Sequence, residues 1–231
     1  MDIAVCNVSV ASVYEESYND GRLVSQLLYG ETCRILEFDK DWVKIQFLSD
    51  EVEGWMDYKQ LDFPIDSTQR KSKVVTDSYL NYQNLLLSIG SEIEGEPEGL
   101  TLFADRVKIG KTAEQFLNVP HLLGGRSFFG LDSSALVQLV MKANGVELPR
   151  FAHQQAERGF AHSFVEESEM GDLAFFENNE GVIDHVGIML DTQTVIHSFG
   201  KVRIDTLDSS GIFNVDLNRH THRLRFVKNI L

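Results

Sequence analysis

The chain has 231 residues, 43% of them hydrophobic, which is enough to bury a core and too much for wholesale disorder. Its 21 basic and 35 acidic residues give a formal charge of −14, and residues 1–62 alone carry 5 basic against 13 acidic side chains. That balance disfavours nucleic acid and anionic membrane as partners, and no run approaches the roughly 20 apolar residues of a membrane helix.

The opening Met1-Asp2-Ile3-Ala4-Val5-Cys6 has neither a basic region nor a long apolar one, so no secretory leader is read and a cytoplasmic location is expected. Cys6 and Cys33 then read as two reduced thiols. Period-two alternation predicts short strands over 9–14, 24–31, 33–38, 42–47 and 54–56, with a polar turn at 17–21 and another at Asp39-Lys40-Asp41. Strands at this spacing predict a small β-barrel over residues 1–62. Residues 63–104 predict a connector or a partial second barrel, with an acidic loop from Glu92 to Gly99.

A second domain is expected over 105–231. Thr112-Ala113-Glu114-Gln115 fits a capping box ahead of a short helix through Leu117, ended by Pro120. The main helix is predicted from Ser133 to Ala143, burying Leu136, Leu139, Val140 and Ala143 on one face, with Asn144-Gly145 as its stop. Strands follow over 173–176, 184–190, 194–199, 202–207 and 224–227. A helical lobe followed by an antiparallel sheet is an α+β layout.

Asp132 is placed to cap the main helix, and Ser133 to sit in the positive potential at its start. A thiol there would be acidified into a thiolate nucleophile, whereas a serine hydroxyl is too weak an acid and needs a base in line with it. Two histidines could supply the base and its orienting partner. The predicted strands 184–190 and 194–199 flank a turn at 191–193, so residues whose numbers sum to about 383, give or take one, face each other. His185 and His197 sum to 382, which makes them opposite or diagonal neighbours on one face. A metal pair is the rival reading, but a third ligand is missing from the obvious positions. His220-Thr221-His222, among Arg219, Arg223, Arg225 and Lys228, reads as a solvated basic edge in preference to a metal site. No metal and no cofactor are expected.

These residues carry a family resemblance. The stretch from Val119 to Ser127 with Gly124-Gly125, then Phe129 to Gln138 with Asp132-Ser133-Ser134-Ala135, Leu148-Pro149-Arg150, Gly171 to Phe176, Asp184-His185-Val186-Gly187-Ile188 and His197-Ser198-Phe199-Gly200-Lys201-Val202-Arg203-Ile204-Asp205 resemble the NlpC-type, papain-like cell-wall peptidases. The front strands resemble a bacterial SH3-type domain. Within the family the chain is similar to intracellular endopeptidases that cut murein peptides between γ-D-glutamate and the diamino acid. The resemblance implies an N-terminal SH3-like barrel followed by a papain-like domain. It puts Ser133, His185 and His197 at the catalytic positions, and His121, Asp132, Ser134 and Phe151 at the substrate.

The departures cluster. Ser133 replaces the nucleophilic cysteine, His121 a site tyrosine, Leu123 a tryptophan, Ala135 a glycine, and Phe151 an aspartate that holds the substrate's amine. The resemblance therefore implies a degenerate member, inactive or strongly impaired, that binds a murein-type peptide or a protein partner. The alternatives are an endopeptidase whose cysteine was changed to serine, a working serine hydrolase, and a purely structural role.

Overall fold

The computed structural model describes residues 3–17, 21–64, 71–96 and 105–231. Residues 18–20 of the predicted turn and 97–99 of the predicted acidic loop lie outside the described residues. Strands dominate and helices are few and short. Two units form, one of Met1–Leu100 with Leu122–Gly130, the other of Thr101–His121 with Leu131–Leu231. No helix among the described residues is long and apolar enough to cross a membrane.

The first unit holds β1 (Ile3–Cys6), β2 (Val10–Tyr14), β3 (Leu23–Leu28), β4 (Thr32–Asp39), β5 (Trp42–Phe47), β6 (Glu53–Asp57) and β7 (Leu61–Asp62). They form one antiparallel sheet in the order β3-β2-β6-β5-β4-β1-β7. In β5 the pleat buries Val43, Ile45 and Phe47 while Trp42, Lys44 and Gln46 lie nearer solvent, which is the alternation visible in the sequence. A two-residue loop joins β4 to β5, with Asp39 paired to Trp42 and Lys40 at φ +55°, the left-handed conformation that a tight hairpin needs. β1 was not predicted: Ala4, Val5 and Cys6 are buried in succession, so the strand shows no period of two.

Residues 71–96 add β8 (Ser72–Val74), β9 (Tyr79–Tyr82), β10 (Leu85–Ser88) and β11 (Glu92–Glu94). They pair as two separate ribbons, β8 with β11 and β9 with β10, around buried Val75, Leu87 and Ile93. Glu92 to Glu94 is thus a strand where a loop was expected: Ile93 turns inward while its acidic neighbours face out. Residues 122–130 fall within the second predicted domain, yet they pack in the first unit. Arg126 anchors them there. It is only 1% exposed, and its Nη1 and Nη2 donate to Glu31 Oε2 and Oε1 at 2.8 and 2.9 Å. Its backbone N–H donates to Gln26 Oε1 at 2.8 Å. At Gly124, φ is +77° and an added Cβ would lie 2.2 Å from Leu23 O, so no other residue fits.

Among the described residues the second unit has three α-helices, α1 (Arg106–Glu114), α2 (Ser133–Ala143) and α3 (Ala152–Gln155). Asp105 caps α1, accepting from Val107 N and Lys108 N. The predicted capping box was misplaced. Thr112 lies in the last turn of α1, where its hydroxyl donates back to Lys108 O at 2.8 Å. Gly110 masks the helix in the sequence; a Cβ there would meet Met170 Sδ at 2.7 Å. Every residue of α2 except Lys142 is buried, not one face alone, because α2 lies between α1 and the sheet.

The sheet runs Phe160–Ala161, Arg219–Asn229, Leu173–Glu177, Ile183–Met189, Thr194–Phe199, Lys201–Asp208 and Gly211–Asn214, all antiparallel. Gly211–Asn214 also pairs back onto Arg219–Asn229, closing six of these strands into a ring. Ala174, Phe176, Met189, Val195, Leu207, Ile212 and Val227 fill part of its core.

Candidate functional site

The start of α2 is held by ions. Asp132 has extended backbone, and its Oδ1 accepts from Ala135 N at 2.9 Å and from Ser134 Oγ at 3.1 Å. Arg150 has no exposed surface, and it forks onto the same carboxylate through Nη1–Oδ1 at 2.9 Å and Nη2–Oδ2 at 2.6 Å. It also donates to Ser134 Oγ at 3.0 Å. Burial alone would raise the Asp132 pKa, but Arg150 and the helix's N–H groups bring it below the ordinary carboxylate value. Ser133 is the first residue of α2 and 5% exposed; among the described residues its hydroxyl has no hydrogen-bond partner.

The strands Ile183–Met189 and Thr194–Phe199, against which α2 packs, bring the two predicted histidines together. Ile188 pairs with Ile196, so His185 and His197 are diagonal, with His185 Nε2 2.9 Å from His197 Nδ1. His197 Nε2 lies 3.1 Å from Asp205 Oδ2. Asp205 is fixed in turn by Arg203, Nη2–Oδ1 2.8 Å, and by Asn214, Nδ2–Oδ2 3.1 Å.

This chain dictates the tautomers. An ionised carboxylate can only accept, so His197 carries its proton on Nε2 and presents a lone pair at Nδ1. His185 must then donate from Nε2, which leaves a lone pair on its Nδ1. Both rings are held neutral. Burial lowers the pKa of each. For His185 the neighbours His222 and His197 lower it further; for His197 the bond to Asp205 pulls the other way without reversing the shift.

Gly187 makes the pairing possible. A Cβ there would lie 2.5 Å from Val195 Cγ2 and 3.2 Å from His197 Cβ. Gly187→Ala is expected to cost about 1–3 kcal/mol through overpacking, read as a lower urea midpoint. An unchanged midpoint would show that the strand can shift freely.

His222 corrects the reading of a solvated basic edge. Its ring is stacked on His185, centroids 3.9 Å apart at 25°, and Phe176 and Phe199 flank it. Burial, and then His197, push its pKa down to about 4. One nitrogen from each of His185, His197 and His222 lies within 4.8 Å of the other two, the only such group able to hold a metal among the described residues. His220 does face solvent, 2.9 Å from Asp208.

His121 is exposed and bonds Ser198 Oγ through Nδ1 at 2.9 Å. Ser198 spends its own proton on Leu131 O, so His121 Nδ1 is the donor and its Nε2 an acceptor. Phe151 is half-buried beside the Arg150 guanidinium, 5.6 Å from its ring centre, and is stacked with His153. Of the predicted residues, Asp132, Ser134 and Phe151 lie around Arg150, and His185 and His197 meet with His222, while Ser133 opens α2 next to Asp132 and His121 is tied to Ser198. Arg150, Arg203, Asp205 and His222 were given no role from the sequence. The strand arithmetic could have found two of them: continued around Gly200, it puts Arg203 opposite His197 and Asp205 two residues further along the same face.

Residues 118–219 match the model of the NlpC/P60 family, and residues 13–61 that of the bacterial dipeptidyl-peptidase Sh3 domain. The chain therefore carries an NlpC/P60 domain behind a bacterial SH3-type domain. It is similar to the gamma-D-glutamyl-L-lysine dipeptidyl-peptidase of Bacillus subtilis (strain 168), 39% identical over 90 residues, which are 38% of this chain and 30% of that protein. The enzyme of the same name from Bacillus cereus (strain ATCC 10987 / NRS 248) is 24% identical over 228 residues, 78% of this chain and 68% of that protein. The chain thus spans under a third of the first relative and about two thirds of the second.

Among solved structures, an NlpC/P60 family protein from Bacillus cereus ATCC 10987 superimposes with a TM-score of 0.82 at 19% identity, covering 99% of both chains. An NlpC/P60 endopeptidase from Photobacterium damselae subsp. piscicida gives 0.70 at 14% identity, covering 97% of this chain and 70% of that one. Both likenesses are of fold.

Proposed function

We propose that this chain is an NlpC-type scaffold without hydrolytic turnover, which binds a murein-derived peptide, or a like segment of a protein partner, in the cytoplasm. The reading rests on Ser133. A cysteine at the start of α2 would be ionised by the helix terminus, whereas a hydroxyl stays protonated and must be hydrogen-bonded to a base in order to attack. The Ser133 hydroxyl has no such bond among the described residues. Phe151 supports the same reading, since an aromatic ring there cannot pair with a substrate ammonium group as a carboxylate would.

A second reading has its own support. The relay from Asp205 through His197 to His185 is complete, which suits a cysteine endopeptidase cutting γ-D-glutamyl–diamino acid bonds, here with serine as its nucleophile. The tripeptide L-Ala-γ-D-Glu-L-Lys separates the two. The chain is expected to bind it in calorimetry and release no L-Ala-γ-D-Glu, and Ser133→Cys is expected to stay slow because its amine-holding group is missing as well. Turnover by the unaltered chain would refute the first reading. Rapid turnover by Ser133→Cys would establish the second.

A further inference from the structure

We infer that His185, His197 and His222 form a binding site for one divalent transition-metal ion of the zinc and cobalt class. The site stands whether or not a peptide binds nearby. Its donors are three imidazoles contributed by three separate strands, and one nitrogen of each already lies within 4.8 Å of the others. Tetrahedral coordination with metal–nitrogen bonds of about 2.0–2.1 Å sets the ligand nitrogens roughly 3.3 Å apart. His185 Nε2 and His197 Nδ1, at 2.9 Å, need only open slightly, and His222 needs to close in.

The surroundings are those of an oriented ligand set. His197 presents Nδ1 because its Nε2 is tied to Asp205, which Arg203 and Asn214 hold in turn. A carboxylate behind a ligating imidazole fixes the ring and strengthens it as a donor. His222 has Nδ1 on Thr221 Oγ1 at 2.9 Å, which leaves Nε2 for a metal. Phe176 and Phe199 wall the rings with apolar surface. A set of nitrogens without sulfur suits zinc, cobalt or nickel.

Two adjustments accompany binding. The ion takes the place of the hydrogen between His185 and His197, and that proton moves to His185 Nδ1, so no charge is gained or lost on the ring. His222 turns out of its stack on His185; it is the one ring of the three with appreciable solvent contact, and so the one with room to turn. Three protein ligands leave the fourth position open to water or to an anionic ligand. A metal so held also removes the lone pair that His185 otherwise offers at Nδ1.

The test uses the full chain, stripped with a chelator and titrated with Co²⁺. One equivalent should be retained through desalting, with the visible absorption of four-coordinate cobalt, and Zn²⁺ should displace it. His222→Phe keeps a ring against His185 but offers no lone pair, and should weaken Co²⁺ binding by at least about tenfold. Asp205→Asn should weaken it by about 10–100-fold. His220→Ala, altered at an exposed neighbour, should bind as the unaltered chain does. Failure to retain cobalt, or retention that His222→Phe leaves unchanged, would overturn the inference. A thermal melt confirms that each variant is folded.

Discussion

Arg150→Ala is expected to lower the stability of the second unit by about 3–5 kcal/mol, the range for stranding one member of a buried ion pair. The substitution leaves the Asp132 carboxylate enclosed without its counter-ion, at the point where α2 begins, and removes a donor from Ser134. Urea denaturation measures the loss. Arg150→Met combined with Asp132→Asn keeps an acceptor for the helix N–H groups and removes both charges, so the double variant should recover most of it. If the double variant falls as far as the single one, side-chain packing rather than ionic pairing holds the corner.

Acid offers a second check on the same pair. The pKa of Asp132 is lower in the folded chain than the ordinary value near 3.9. A depressed carboxylate contributes stability that is fully present above the unfolded value and is lost as the pH falls through the folded one. The gap between the unaltered chain and Arg150→Ala should therefore be widest near neutrality and shrink below about pH 4. A gap that held constant into acid would contradict the assignment.

Arg126→Ala should act on the first unit with a similar size, about 3–5 kcal/mol, and with a local signature. Arg126 is the main polar anchor of residues 122–130, which otherwise expose Leu122, Leu123 and Phe129. Limited proteolysis of the variant should cut within 122–130, and mass spectrometry of the fragments locates the cut. Arg126→Lys should rescue little, because an ammonium cannot reproduce the two parallel bonds to Glu31. Resistance of Arg126→Ala to cleavage would show that the backbone bonds are sufficient.

What could be read from the chain was local. The bounds of α2 follow from Asp132 at one end and Asn144-Gly145 at the other, and Gly145 does take a positive φ of +79°. The meeting of His185 and His197 depends on a single turn and a period of two, so arithmetic reached it. His222 depends on closure of a ring of strands: it pairs with Ile212, in a four-residue strand with little pattern of its own. Asp132 and Arg150 are 18 positions apart, and a sequence displays their charges without displaying that the arginine is enclosed against a largely covered carboxylate. The misplaced helix start at Thr112 has a packing cause, since the close approach of Met170 installed a glycine inside α1 and hid the stronger cap at Asp105.

The chain passes between its units near residue 100, again at 121–122 and once more at 130–131. A nick at the first crossing would sever residues 1–100 from the rest of the chain, and the bonds of Arg126 to Glu31 and Gln26 would then help hold them to 122–130. A shortened polypeptide ending at 104 would lack the guanidinium that neutralises Glu31, and would fold around a stranded carboxylate. The front module is thus completed by a segment synthesised after it, and its final shape waits on translation through residue 130.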